Sequence, residues 1–292
     1  MSSILNQKLL PCEIVIVDDG SKEPLKLDDI CNVPGMEKVL EGNIKLGILR
    51  NEVNRGIPAT RNIGIKASTG EWIAFLDQDD EWKPDKLELQ YNILNNIEHR
   101  ESRGGIFSTV LEQNVYTSNE RMSPQKIEIE KILKNGVFES LLNYGNFVYW
   151  ITLMVHRECF ETVGYLDEKL SGGSDDYDFA LRLSYDNKLF FDCGEPVAIH
   201  YVHDSNYSHA LKFAEDNKKI YSKYKDTSLT SGSMLNKAKS RNYYMEARYW
   251  HIKREWKIAK SIYLKSIFSH PTVKNVMMFI LCFLGIAWRK AK

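Results

Sequence analysis

Glu13 to Val17 (EIVIV) is an unbroken, largely β-branched run that stops at Asp18-Asp19-Gly20. Such a run predicts a strand covered on both faces, as in a parallel sheet. Ile44 to Leu49 predicts a second strand, and Trp72 to Leu76 (WIAFL) a third that again ends in acids. Between them the period changes. Ile57 to Ser68 predicts a helix, with Pro58 near its start and Gly70 just past its end. Pro84 predicts the opening of another, whose apolar residues Leu87, Tyr91, Leu94 and Ile97 recur at helical spacing. This alternation predicts an α/β fold with crossover connections. Ligands of open sheets gather at the carboxyl ends of strands, where both acidic clusters fall.

Further along, Phe147 to Val155 predicts a strand and Glu158 to Val163 a short helix closed by Gly164. Asp176 to Tyr185 predicts a helix with Phe179 and Leu183 on one face. Beyond His209 the pattern is helical and rich in Lys, Tyr and Trp. The expected division is therefore a domain over residues 1–209 and a helical C-terminal region over 210–292.

Composition (43% hydrophobic, 27% charged, zero net charge) is that of an ordinary globular chain and excludes a strong overall bias toward polyanions. The distribution of charge changes the picture. Asn236 to Lys265 holds nine of the 39 Lys and Arg but two of the 39 Asp and Glu, interleaved with Tyr243, Tyr244, Tyr249, Trp250, Trp256 and Tyr263. With the apolar stretch that follows and Arg289, Lys290 and Lys292, this suits helices lying in a membrane interface, or a helical subdomain with an aromatic core. Val276 to Trp288 is the longest apolar run, 13 residues, where about 20 are needed to span a bilayer. Cys12, Cys31, Cys159, Cys193 and Cys282 show no C-x-x-C and no regular spacing, which fits a reducing compartment rather than a disulfide or zinc framework. No basic-then-apolar leader opens the chain. The expected location is cytoplasmic, with peripheral contact to the inner face of the plasma membrane.

Five clusters carry candidate chemistry. Asp18-Asp19-Gly20-Ser21 is by itself a strand-end turn, yet a carboxylate there can accept hydrogen bonds from a nucleobase or ribose. Asn54-Arg55-Gly56 feeds a helix whose free N–H groups favour an anion, with Arg61 one turn in. Asp77-Gln78-Asp79-Asp80 crowds three carboxylates into four residues, a repulsion that a hard cation such as Mg²⁺ or Mn²⁺ would relieve. Gly172-Gly173-Ser174-Asp175-Asp176-Tyr177-Asp178 reads as a flexible glycine loop delivering acids to a helix start. There the dipole favours an ionised carboxylate that can serve as general base. His200-Tyr201-Val202-His203-Asp204 offers His203 to a metal or phosphate.

Each signal is weak alone, but their order and spacing resemble family 2 of the GT-A glycosyltransferases. The resemblance is carried by Ile14 to Ser21, Asn54 to Gly64 and, most specifically, Gly70 to Asp80. Gly164-Tyr165-Leu166-Asp167-Glu168 and Asp175-Asp176-Tyr177-Asp178 with Arg182-Leu183 extend it, so that it covers about residues 2 to 207. It implies a mixed, mostly parallel sheet flanked by helices. It also implies roles: Asp18 and Asp19 at the nucleoside, Arg61 near the nucleotide, and Asp77 and Asp79 as the D-x-D that binds nucleotide-sugar and metal. Asp176 is implied as catalytic base, His203 as a residue near the metal-diphosphate, and Asp175 and Asp80 as secondary or acceptor-side residues. Three departures stand out. The family's opening strand would precede Met1, because Ser2-Ser3-Ile4-Leu5-Asn6-Gln7 matches the helix after it; either the start lies upstream or the product is truncated and inactive. Asp175 stands where Glu is usual, and Tyr201 where many members have Arg.

The implied reaction is metal-dependent transfer, with inversion, of a sugar from a UDP-, GDP- or TDP-sugar to a hydroxyl of a glycan or lipid-linked acceptor in surface polysaccharide or lipopolysaccharide synthesis. The acids belong to separate motifs, which does not match a glycosidase pair. A nucleotidyltransferase would need a basic Gly-rich phosphate loop near the N-terminus, and none is present. A decayed transferase kept as a binding protein stays open as an alternative, and nucleic acid is not an expected partner.

Overall fold

A computed structural model describes residues 1–96, 104–117, 119–170, 172–192, 194–203 and 210–286. The expectations placed on Ile97, Cys193, Asp204, His209, Trp288, Arg289, Lys290 and Lys292 lie outside the described residues. The chain forms two compact units that interleave in sequence. One takes residues 1–137, 147–169 and 175–203, and the other residues 138–146, 170–174 and the described chain from 210 on.

Among the described residues the first unit carries ten strands: β1 (Glu13–Asp18), β2 (Lys45–Arg50), β3 (Trp72–Ala74), β4 (Glu81–Trp82), β5 (Gly105–Ser108), β6 (Val110–Asn114), β7 (Glu120–Ser123), β8 (Met154–His156), β9 (Leu189–Asp192) and β10 (Ala198–Val202). Its helices are α1 (Ser2–Leu5), α2 (Glu37–Leu40), α3 (Ile57–Ala67), α4 (Lys86–Asn96), α5 (Lys126–Asn135), α7 (Glu158–Thr162) and α8 (Asp175–Tyr185). The second unit is helical: α6 (Val137–Tyr144, from its second residue), α9 (Ala210–Lys223), α10 (Gly232–Ile252), α11 (Trp256–Ser269) and α12 (Val273–Phe283).

β1 and β2 pair in parallel, with Asp18 opposite Arg50. The other strands form two sheets, in the orders β4-β10-β6-β7 and β3-β8-β5-β9. Among the described residues three pairings run parallel and four antiparallel. The α/β class with mixed sheets is as expected, while parallel pairing is less dominant than expected. Strands β4, β7 and β8 pair antiparallel with their neighbours, which short local patterns do not reveal. Apolar clusters support the sheets. Trp82, Leu87, Ile106, Val110, Ile151 and Met154 lie in one, and Leu5, Ile14, Ile30, Met36 and Ile44 in another.

Three local expectations are corrected. The run from Phe147 to Val155 is not one strand: Trp150–Thr152 is a 3-10 turn, closed by Leu153 N–H to Trp150 C=O at 3.0 Å, and only Met154–His156 is extended. A short buried apolar run does not by itself choose between extended and turned backbone. WIAFL is extended only to Ala74, because the Phe75 carbonyl accepts the Trp82 indole N–H at 3.1 Å instead of joining a ladder. On α4, Tyr91 faces solvent while Lys86 and Gln90 are buried. Lys86 Nζ donates to Gln90 Oε1 at 2.7 Å, and Gln90 Nε2 to the Thr152 carbonyl at 2.7 Å. A polar pair that satisfies itself can therefore replace apolar residues on the inner face.

Candidate functional site

The loop after β1 is fixed by its own carboxylates. Asp18 is buried and accepts from Ser21 N–H at 2.9 Å and Leu25 N–H at 3.3 Å, with the Arg50 guanidinium against it. The Ser21 hydrogen bonds, with help from Leu25 and Arg50, hold the Asp18 carboxyl down to about 2. Asp19 points the other way. It accepts from Asn51 Nδ2 and Arg55 N–H, both at 2.8 Å, and from Gly56 N–H at 2.9 Å. Partial burial pushes Asp19 upward, but these donors outweigh it and leave the group below the usual carboxylate range. Gly20 makes the turn possible: its φ is +74°, and a Cβ there would sit 2.8 Å from the Asn54 nitrogen.

Gly56 then caps α3, and Asn51 Nδ2 also reaches Thr60 Oγ1 at 3.3 Å, tying the β1 loop to the start of that helix. The next residue, Arg61, is where the second half of the site converges. Its guanidinium donates to both Asp77 oxygens, at 2.9 and 3.1 Å, and to Asp175 Oδ2 at 2.9 Å. It lies 4.6 Å from the centre of the Trp150 ring. Burial favours the neutral form, yet Asp77, Asp175 and Asp176 outweigh it and raise the pKa further. Arg61 thus brings together, around one planar cation, the acid cluster after β3 and the acidic start of α8. Asp175 is 2% exposed while Asp77 is 42% exposed. Asp176 is half-buried, and its Oδ1 accepts from Tyr177 N–H at 2.6 Å.

The remaining acids of the β3 loop have partners of their own. Asp79 Oδ2 lies 3.0 Å from His203 Nε2. Asp80 is buried, accepts from Tyr201 N–H at 3.0 Å and faces His200 Nδ1 at 3.0 Å. Burial pulls His200 downward, but the Asp80 bond and charge outweigh it and raise its pKa. Asp80 therefore fastens β10 to the loop, and His203 lies just past the end of that strand.

Other matched residues hold the frame. Asn62 bonds the Leu166 backbone in both directions at 3.0 Å. Arg182 pairs with Asp178 at 2.8 Å and donates to the carbonyls of Val163, Gly164 and Tyr165. The glycine stretch is not loose as expected. Gly172 donates to Asp216 Oδ2 at 2.6 Å, and a Cβ there would lie 2.5 Å from the Lys212 carbonyl carbon. Glycine serves close backbone packing on α9. Sequence reasoning passed over Arg50, Asn51 and Trp150, and it gave His200 no role of its own. Arg50 had a signal in hindsight, since it ends β2 as Asp18 ends β1.

Among the described residues no trio of His, Cys, Asp and Glu is gathered to hold a metal by protein ligands alone. Asp79 and His203 meet, while Asp77 turns to Arg61. This donor set still fits a hard divalent ion. Mg²⁺ and its relatives are commonly held by one or two carboxylates plus substrate phosphates rather than by a full protein cage. The electrostatics point the same way. Asp77, Asp79, Asp80, Asp175 and Asp176 face one guanidinium and two imidazoles. A cation would offset that excess of negative charge.

The chain is 33% identical over 138 residues to the Escherichia coli UDP-Glc:alpha-D-GlcNAc-diphosphoundecaprenol beta-1,3-glucosyltransferase WfgD, covering 46% of this chain and 49% of that protein. It is 29% identical over 188 residues to an uncharacterized glycosyltransferase of Haemophilus influenzae, 63% of this chain and 55% of that one. With the amylovoran biosynthesis glycosyltransferase AmsB of Erwinia amylovora it shares 25% over 212 residues, 73% and 65% of the two chains. The chain thus spans between about half and two thirds of the length of these relatives. In fold it is similar to Staphylococcus aureus TarS 1-349, crystallised with UDP, at a TM-score of 0.62 and 16% identity, over 98% of this chain and 82% of that one. The glycosyl transferase family 2 model matches residues 1–163, the stretch that holds both acidic loops and Arg61, and by that match the chain belongs to glycosyl transferase family 2.

Proposed function

We propose that the chain transfers a sugar from a nucleotide-diphosphate donor to an acceptor hydroxyl, with inversion and with a divalent metal, Mn²⁺ or Mg²⁺. The observation that carries this reading is the convergence of Asp77, Asp175 and Asp176 on Arg61, beside the Asp79–His203 pair. Asp18 and Asp19 shape the nucleoside end, through the loop they hold and through Asp19 itself. Asp79 and His203, joined by Asp77, would hold the metal, which when bound neutralises charge on the departing diphosphate. Arg61 offers a cation that can exchange a carboxylate partner for a phosphate oxygen. Asp176 accepts the proton of the acceptor hydroxyl as that oxygen attacks the anomeric carbon from the face opposite the leaving group.

A UDP-sugar is the first donor to test, with GDP- and TDP-sugars next, and a lipid-linked glycan the first acceptor. The WfgD relative, a UDP-Glc:alpha-D-GlcNAc-diphosphoundecaprenol beta-1,3-glucosyltransferase, supports both choices. The role fits surface polysaccharide assembly, on the cytoplasmic side of a membrane. The test is turnover of a panel of nucleotide-sugars, read as nucleoside diphosphate released in the presence of Mn²⁺. The Asp176→Asn variant is expected to lose about 10²–10⁴-fold in kcat with donor affinity and melting temperature kept. Unchanged kcat in that variant would remove Asp176 from the base role.

A further inference from the structure

The basic, aromatic stretch that suggested a membrane contact turns much of its aromatic surface inward. Tyr244 and Tyr263 are buried in the core of α10, α11 and α12, and Tyr243, Trp250 and Trp256 pack against it. A buried polar network locks the same three helices. Asn275 Nδ2 donates to Ser240 Oγ at 3.2 Å, to Ser266 Oγ at 3.1 Å and to the His270 carbonyl at 3.0 Å. These contacts, with buried Met278 and Cys282, fix which side of α12 faces in.

The outer side of α12 is the unusual one. Val273, Val276, Met277, Ile280, Phe283 and Leu284 recur at i, i+3, i+4, i+7, i+10 and i+11, and all are exposed, Val273 at 88% and Phe283 at 66%. On a helix packed against a core the outward stripe is ordinarily polar. Here Lys274 is the one charge between Val273 and Ile286. On α11 Phe268 is 84% exposed, and Lys260 places its ammonium 5.3 Å from the centre of the Phe283 ring. Cations also dominate this stretch of sequence: Lys253 to Ile286 holds six Lys or Arg and one Glu.

We infer that the outer face of α12, with its basic flank on α11, is a docking surface for an anionic lipid bilayer, lying in the plane of the headgroups. The charge selects this occupant. A second copy packed face to face would set one cationic flank against another, whereas an anionic bilayer supplies the missing charge while its acyl region receives the apolar stripe. The described helix is too short to cross the bilayer. Eleven residues of helix reach about 16 Å of a core roughly 30 Å thick, and among the described residues no helix is long and apolar enough to cross. The inference stands apart from the transfer chemistry.

The test is co-sedimentation of the full chain with vesicles of equal parts phosphatidylglycerol and phosphatidylcholine, against vesicles of phosphatidylcholine alone. Binding is expected to the mixed vesicles, to weaken with salt, and to fall about tenfold or more in an Ile280→Ser/Phe283→Ser variant that melts at the wild-type temperature. A Lys257→Glu/Lys265→Glu variant, which leaves the apolar stripe intact, is expected to lose the preference for anionic vesicles. Wild-type binding by the folded apolar-face variant would overturn the proposal. So would a dimer in sedimentation velocity that the same substitutions dissolve, with no vesicle binding by either chain. UDP affinity in these variants is a separate readout, so failure of the donor-site reading would be seen apart from failure of this one.

Discussion

The loop after β1 and the loop after β3 both set carboxylates at the carboxyl end of a strand, but different partners hold them. Asp18 and Asp19 accept mainly from backbone N–H groups, at Ser21, Leu25, Arg55 and Gly56. Asp77, Asp79 and Asp80 face the side chains of Arg61, His203 and His200. Backbone donors cannot leave without unfolding the loop, so the first arrangement is architecture. Side-chain donors can swing away, so the second can trade its partners for a ligand. Within the second loop the exposed pair, Asp77 and Asp79, is the exchangeable part, and Asp80, bound to Tyr201 N–H as well, is the fixed one.

Breaking the comparison at Arg61 should have the largest effect. Arg61→Ala leaves the buried Asp175 without its cation, and loss of one partner of such a pair costs about 3–5 kcal/mol. The expected result is a lowered denaturant midpoint together with loss of nucleotide binding. Arg61→Lys should recover part of the stability, but not the two-sided bridge that a planar guanidinium makes. Unchanged stability in Arg61→Ala would mean that Asp175 is not held as described.

Lys86 sharpens the comparison: among the described residues its ammonium bonds Gln90 and the Leu153 carbonyl rather than a carboxylate. Burial pushes its pKa down to about 7, against about 10.4 for a free lysine. The unfolded chain therefore binds more protons than the folded one between those values, and stability should rise with pH across that window. The slope is at most about 1.4 kcal/mol per pH unit. Lys86→Met should flatten the profile, as read by urea denaturation from pH 7 to 10.

The smallest effect is expected at Asp18. Its folded pKa is depressed to about 2, so its contribution is complete above the unfolded value near 3.9 and is lost as pH falls through the folded one. Asp18→Asn should lower stability at neutral pH and reduce the acid dependence between roughly pH 4 and 2. An acid limb as steep as the wild type would count against the buried Ser21 and Leu25 bonds.

These differences also mark what could be read from the residues alone. β1, β2, α3 and α8 were legible because each couples a strong period to a sharp stop, such as Asp18-Asp19-Gly20 or Gly70. Strands β5, β6, β7, β9 and β10 were not, since they are four or five residues long and their burial comes from distant partners. The site followed the same rule. Clusters contiguous in sequence, such as Asp77 to Asp80, were visible. The convergence of Asp77 and Asp175 on Arg61, nearly a hundred residues apart, was implied only through the family resemblance. The inward turn of Asp18 toward Arg50 and the role of Asn51 depend on strand register, which a single sequence does not specify.

The central claim is that the exchangeable acids bind a nucleotide through a cation. The direct measurement is calorimetric titration of UDP into the chain, with and without Mn²⁺, for the wild type and for Asp79→Asn. Mn²⁺-dependent binding in the wild type, lost in a variant that still melts like it, is the predicted result. Binding that is equally tight without Mn²⁺, or unchanged in Asp79→Asn, would contradict it.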